Sequence, residues 1–172
     1  FNINGSIETI SSNGDQEIFI LKISSSGELI FAKKIGGIGS EYGSSLSIDE
    51  LSNYYISGYF QGTVDFDPGA GNNSITPEGL NAIFLAKYDS LGNYLKVLSL
   101  GGVDGWNSSF GMDINDEGDI WVTGIFESTI DFDPGPGEAF RTSNGAADIF
   151  LAHYDTEFNY VDAVTVGDSE YD

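Results

Sequence analysis

Two passages of this 172-residue chain repeat almost letter for letter. TVDFDPGAG at residues 63–71 returns as TIDFDPGPG at residues 129–137, a shift of 66 residues from Asp65 to Asp131. A second phrase keeps step with it: IFILKISSSGEL from Ile18, IFLAKYDSLGNY from Ile83 and IFLAHYDTEFNY from Ile149. Asp65 to Ile83 and Asp131 to Ile149 are both separations of 18 residues. A fixed period of this size means that one supersecondary unit recurs, because such units bury their apolar faces only against neighbours. The chain is an array, and its function belongs to the assembled array.

Within one copy, residues 83–89 (IFLAKYD) are a run of large side chains that ends at a Ser-Leu-Gly-Asn turn. Residues 94–100 follow and stop at Gly101-Gly102, which predicts a hairpin. A polar link through Trp106 leads to a strand over 110–114, and Asn-Asp-Glu-Gly turns it. Residues 120–126 (IWVTGIF) are aromatic and β-branched, the strongest strand signal in the chain. Residues 129–132 extend until Pro134 and Gly135, where a missing donor and a free backbone end the strand. No stretch carries a sustained 3.6-residue apolar rhythm. The 23 Gly residues suit the many tight turns this requires. The spacing predicts an all-β fold: a β-propeller segment of about two and a half four-stranded antiparallel blades with a 65–66-residue repeat. It reads as one domain, with a partial blade at 1–17, repeats at 18–82 and 83–148, and a partial repeat at 149–172. Phe1 aligns without gaps with Phe132, and Val166 to Tyr171 resemble the link seen from Gly37 to Tyr42. Closed propellers use ~4–8 blades, so the expectation is a piece of a longer chain.

Six Lys plus Arg stand against 27 Asp plus Glu, a net charge of −21. That balance repels phosphate backbones and anionic lipid, which argues against nucleic acid as a partner. No apolar run approaches the ~20 residues of a membrane-spanning helix, so direct membrane insertion is not expected. There is no cysteine, which removes disulfides, thiolate metal sites and cysteine nucleophiles.

The phrases GDIWVTGIF, TIDFDPGPG, DIFLAHYD and LGNYLKVLSLGG together resemble the bacterial β-propeller repeat family known as SBBP. The resemblance covers nearly the whole chain. It implies a secreted or cell-surface protein of a Bacteroidetes-like bacterium, exported by a route such as type IX secretion. It also implies a non-catalytic scaffold or protein-interaction module. The partners so implied are a protein or a surface glycan, together with further blades of the same chain or of neighbouring subunits.

The sharpest candidate site is DFDPG. In an extended segment Asp65 and Asp67 point to one side, as do Asp131 and Asp133. Two carboxylates before a Pro-Gly turn could supply part of an oxygen cage for calcium, although two acids do not fill six to eight positions. The alternative is that these Asp side chains accept backbone N–H groups and shape a turn, with Phe66 and Phe132 buried between them. Glu17 and Asp148 both precede the IF phrase, but Ala82 holds that place in the middle copy, which argues against a shared ligand there. Trp106 and Tyr42, read as equivalent link residues, are candidates for a partner-binding rim; the alternative, and the commoner role of a repeated aromatic, is packing between neighbouring blades. Trp121 reads as packing material. His153, the lone histidine, occupies the place of Lys22 and Lys87 and reads as surface variation. No catalytic Ser-His-acid set is apparent, no acid pair stands out for glycoside cleavage, and Gly36-Gly37 and Gly101-Gly102 read as strand ends. The functional alternatives are a carbohydrate-binding adhesin, or the non-catalytic part of a secreted hydrolase or lyase.

Overall fold

The computed structural model describes residues 2–3, 6–7 and 9–169, and over them the chain is all-β, without helix. Phe1 and Tyr171, both used in the repeat alignment, lie outside the described residues. Fourteen strands follow in order: β1 Asn2–Ile3, β2 Ser6–Ile7, β3 Ile18–Ile23, β4 Leu29–Gly37, β5 Glu41–Ile48, β6 Tyr54–Phe60 and β7 Val64–Asp65. They continue as β8 Ser74–Ile75, β9 Ala82–Tyr88, β10 Tyr94–Leu100, β11 Asn107–Ile114, β12 Ile120–Asp131, β13 Phe140–Tyr154 and β14 Tyr160–Val166. Apart from the small β1–β2 pair they form three four-stranded antiparallel sheets: β3-β4-β7-β8, β5-β6-β9-β10 and β11-β12-β13-β14.

One turn design joins the long strands. Residues 24–28, 49–53, 89–93, 115–119 and 155–159 each place a positive φ at their fourth position: Gly27, Ser52, Gly92, Gly118 and Phe158. In the middle example Asp89 Oδ1 accepts the N–H groups of Leu91 and Asn93 at 2.8 and 2.9 Å, while Asn93 Nδ2 donates to Oδ2. Asp155 makes the same three bonds with Glu157 and Asn159. The acid satisfies donors that the bend would otherwise leave free, which is why Asp and Asn recur there.

The second sheet is the middle layer, and its burial shows it. On β9, Phe84, Ala86 and Tyr88 enter a core shared with the first sheet, with Ile18, Ile20, Ile35, Ile56 and Phe60. The alternate residues Ile83 and Leu85 enter a second core, with Leu98, Ile120, Val122, Phe126, Phe150 and Tyr154. The same phrase on β13 buries only Phe150, Ala152 and Tyr154, leaving Ile149 45% and Leu151 43% exposed. Alternation is lost where a strand is covered on both faces and kept where it is covered on one.

The third sheet meets the second through β11, which lies against β5 and β6. Serines rather than hydrocarbon fill part of this seam. Ser44 Oγ and Ser109 Oγ are 3.0 Å apart, Ser45 Oγ donates to Met112 O, and Ser109 Oγ donates to Gly58 O. The Asn81 side chain, fully buried, donates to Asn107 O and accepts the Asn107 N–H across it. Lysine clips the layers at their rim: Lys22 Nζ donates to Ser90 O at 2.9 Å, and Lys96 Nζ donates to Glu157 O. Counted from the IF phrase, each sequence copy ends one sheet and begins the next, since the second sheet takes β5 and β6 from one copy and β10 and almost all of β9 from the following one.

Candidate functional site

The DFDPG loops cap hairpins that reach across to the preceding sheet. β7 pairs with β4 through Gly36↔Asp65 and Gly37↔Val64. A Cβ on Gly37 would collide with Thr63 O, and one on Gly102 with Thr129 O, so the Gly-Gly pairs give the crossing hairpin room for its backbone. Their role is close approach, which reading them only as strand ends had missed.

Inside each loop the phenylalanine is an anchor. Phe66 is fully buried, 5.2 Å from both Phe60 and Phe84, and its carbonyl accepts the Tyr88 hydroxyl at 3.0 Å. Phe132 repeats this with Phe126, Phe150 and Tyr154, whose hydroxyl donates to Phe132 O at 2.9 Å. Burial and the nearby loop acids push both tyrosine hydroxyls well above the ordinary phenol range, so they stay protonated donors.

The aspartates serve the backbone. Asp65 Oδ1 accepts the N–H groups of Asp67 (3.0 Å) and Asn73 (2.9 Å), and Asp67 Oδ1 accepts that of Gly69 (2.7 Å). Asp131 Oδ1 accepts from Asp133 and Ala139, and Asp133 Oδ1 from Gly135. These are the bonds of the turn alternative. Each pair is brought together, but the two pairs line different grooves. Asp65 and Asp67 face Lys33 and Lys34 in one of about 420 Å³, while Asp131 and Asp133 face Thr76 and Glu78 in another of about 570 Å³. Among the described residues, no group of three or more His, Cys, Asp or Glu is arranged to hold a metal ion.

The rim aromatics do meet, through a residue that the sequence did not single out. Tyr42 stacks on its cross-strand partner Tyr59 with ring centroids 5.8 Å apart, and Trp106 meets the Tyr59 ring edge-on at 5.1 Å. Tyr42 is 53% exposed, so the three rings form an aromatic patch at the seam of the second and third sheets. The equivalence of Trp106 with Tyr42 needs correcting. Asn107 opposes Phe126 as Glu41 opposes Phe60, which puts Trp106 in the place of Ser40 and Tyr42 in that of Ser108. The serine-rich link hid the two-residue slip. Phe126, opposite Asn107, would have fixed the frame.

His153 is not mere surface variation. Its ring stacks on Trp121 at 4.0 Å and 11°, between Asp119 Oδ2 at 3.6 Å and Asp162 Oδ1 at 3.5 Å. It takes the position in which Lys87 covers the Tyr55 ring one sheet earlier. Trp121 itself lies on the uncovered face of the third sheet, 37% exposed.

A buried acid pair is the other feature that sequence reading passed over. Glu17, just ahead of β3, has a 4% exposed side chain with Lys34 Nζ 3.3 Å from Oε1. Glu41, at the start of β5, is 2% exposed and accepts the Gly37 N–H at 3.2 Å. Loss of solvent, with Glu17 close by, pushes the Glu41 carboxyl up to about 7, against lowering by the Gly37 N–H and Lys34. In a chain with 27 acids nothing in the sequence marks Glu41.

No family model matches the chain. It is 29% identical over 87 residues, 42% of its length, to an uncharacterised WD repeat-containing protein of Acanthamoeba polyphaga mimivirus. The match spans 6% of that protein's length. WD repeats fold as four-stranded propeller blades, and four-stranded antiparallel sheets are what this chain forms.

Proposed function

We propose that the chain is a β-propeller segment that acts as a non-catalytic scaffold, a protein-interaction module of an SBBP-like bacterial protein at the cell surface or outside the cell. The observation that carries this reading is the way the sheets stack. The second sheet presents Tyr55, Ile83, Leu85, Leu98 and Leu100 to the third, all buried. Sixty-six residues on, Trp121, Ile149, Leu151, Val164 and Val166 stand on the outward face of the third sheet, all partly exposed. An apolar face of this pattern supports continuation of the array by another blade, and an array of blades displays its loops on a rigid frame. The match to a WD repeat-containing protein supports the propeller part of this reading, since such repeats fold as propeller blades.

The aromatic patch is the part of the frame best suited to a protein partner, because rings with a polar handle dominate such contacts. The test is affinity capture from the surface fraction of the source cells, comparing the wild-type chain with a Tyr42→Ala/Trp106→Ala double variant. A defined protein retained by the first and lost by the second supports the reading, and equal retention overturns the assignment of the patch. The exposed, stacked Tyr42 also favours a second reading, a surface glycan. Binding on a glycan array, abolished by the same double variant, would select it.

A further inference from the structure

We propose that Glu17 and Glu41 share one proton, and that this proton latches the first sheet to the second. The two carboxylates come from different layers and converge over one backbone position. From the point where a Cβ of Gly36 would stand, Glu41 Oε2 is 2.8 Å away and Glu17 Cδ 2.9 Å. Glycine at 36 is what lets them approach. Glu17 Oε2 and Glu41 Oε1 are buried and, among the described residues, have no hydrogen-bond partner. Two carboxylates that converge on one point repel, and a buried acceptor without a donor is costly. One proton resolves both faults, because a carboxyl on Glu41 donates to the carboxylate of Glu17, as in other carboxyl–carboxylate pairs.

The surroundings decide which group is protonated. Lys34, on β4, places its ammonium on Glu17. Among the described residues Glu41 has no such ion pair, and its burial is opposed by the Gly37 N–H and, more weakly, by the Lys34 charge. Asp65, whose residue pairs with Gly36, has its Oδ1 engaged by Asp67 and Asn73. The pair also sits where opening would be felt. Residues 15–17 run beside 39–41, with the Asp15 N–H donating to Gly39 O and the Glu41 N–H to Gln16 O. At the equivalent seam between the second and third sheets the places of Glu17 and Glu41 are held by Ala82 and Asn107. Asn81 and Asn107 close that seam with amide hydrogen bonds. The second seam therefore closes on amides at the place where the first closes on carboxyl groups.

The sign follows from the raised carboxyl. The folded chain holds the Glu41 proton more tightly than the unfolded one, so this stabilisation is complete below the ordinary glutamate range and is lost as pH rises through about 7. The test is a carboxyl ¹³C titration of the intact chain with melting curves from pH 5.5 to 8, in about 0.5 M salt to screen the remaining charge. Expected are a Glu41 midpoint near 7, a midpoint that falls in Glu17→Gln, and a melting temperature that drops across the interval in the wild type but stays level in Glu41→Gln. A Glu41 midpoint in the ordinary carboxyl range overturns the latch. So does a wild-type pH slope retained in Glu41→Gln.

Discussion

Phe158 holds a φ of 63°, a conformation that Gly27 and Gly92 adopt freely at the matching turns. A bulky residue tolerates it only if its surroundings compensate. They do: the ring is buried, 6.1 Å from Tyr55 and under the Lys96 ammonium at 5.7 Å, so the turn of the third sheet is pinned to the second. Phe158→Ala keeps the strain and loses the anchor, and should lower stability by about 3 kcal/mol in a urea melt. Phe158→Gly should lower it by somewhat less, because strain is relieved as packing is lost. The turn acids respond to pH in the opposite sense to Glu41. Hydrogen bonds from the Asn93 and Leu91 N–H groups hold the Asp89 carboxyl below the ordinary aspartate range. Its contribution is present above that range and is lost as pH falls through the lowered value. Acid unfolding followed by near-UV circular dichroism should begin at higher pH in Asp89→Ala. The turn at 89–93 was legible in the sequence, since Asp-Ser-Leu-Gly-Asn sets turn-forming residues directly after a run of large apolar ones. The αL place of Phe158 was not, because only alignment with two glycines betrays it.

At the scale of the element, the DFDPG hairpin behaves as a strap. Its phenylalanine enters the core of its own unit while its stem crosses the end of the preceding sheet. Phe132→Ala should cost about 3–5 kcal/mol. Gly102→Ala, which drives a methyl into Thr129 O, should be destabilising although it adds only one carbon. Both are read from thermal melts. Because Asp65 and Asp131 already hold two backbone N–H groups each, a chelator should leave the melting temperature unchanged, and a fall on adding EDTA would assign a calcium role to these loops. The strands themselves were largely readable. The segment expected at 83–89 is β9, Ala82–Tyr88, and those expected at 120–126 and 129–132 merge into the single strand β12, Ile120–Asp131, the bulge between Glu127 and Thr129 accounting for the expected break. The start of β11 was not readable. Asn107, Ser108 and Ser109 look like a solvated link, yet they are buried: Asn81 meets the Asn107 backbone across the seam, Ser44 and Gly58 meet the Ser109 hydroxyl, and the Ser108 hydroxyl turns to Ser109 O. A pattern of apolar residues cannot report a strand whose partners are polar groups on another sheet.

At the scale of the molecule, charge and phase set the behaviour. A net charge of −21 repels itself in any compact state, so moderate salt should raise the melting temperature, a trend that scanning calorimetry would record. The phase has a genetic corollary. A copy counted from the IF phrase closes one layer and opens the next, so copies overlap like roof tiles. Excising residues 83–148 would join Ala82 to Ile149 and leave β6 beside the same IFLA phrase that it pairs with now. Such a shortened chain should fold with one layer fewer and no ragged edge. Tandem duplication would lengthen the stack by the same rule, so recombination between copies changes the number of layers without a faulty intermediate.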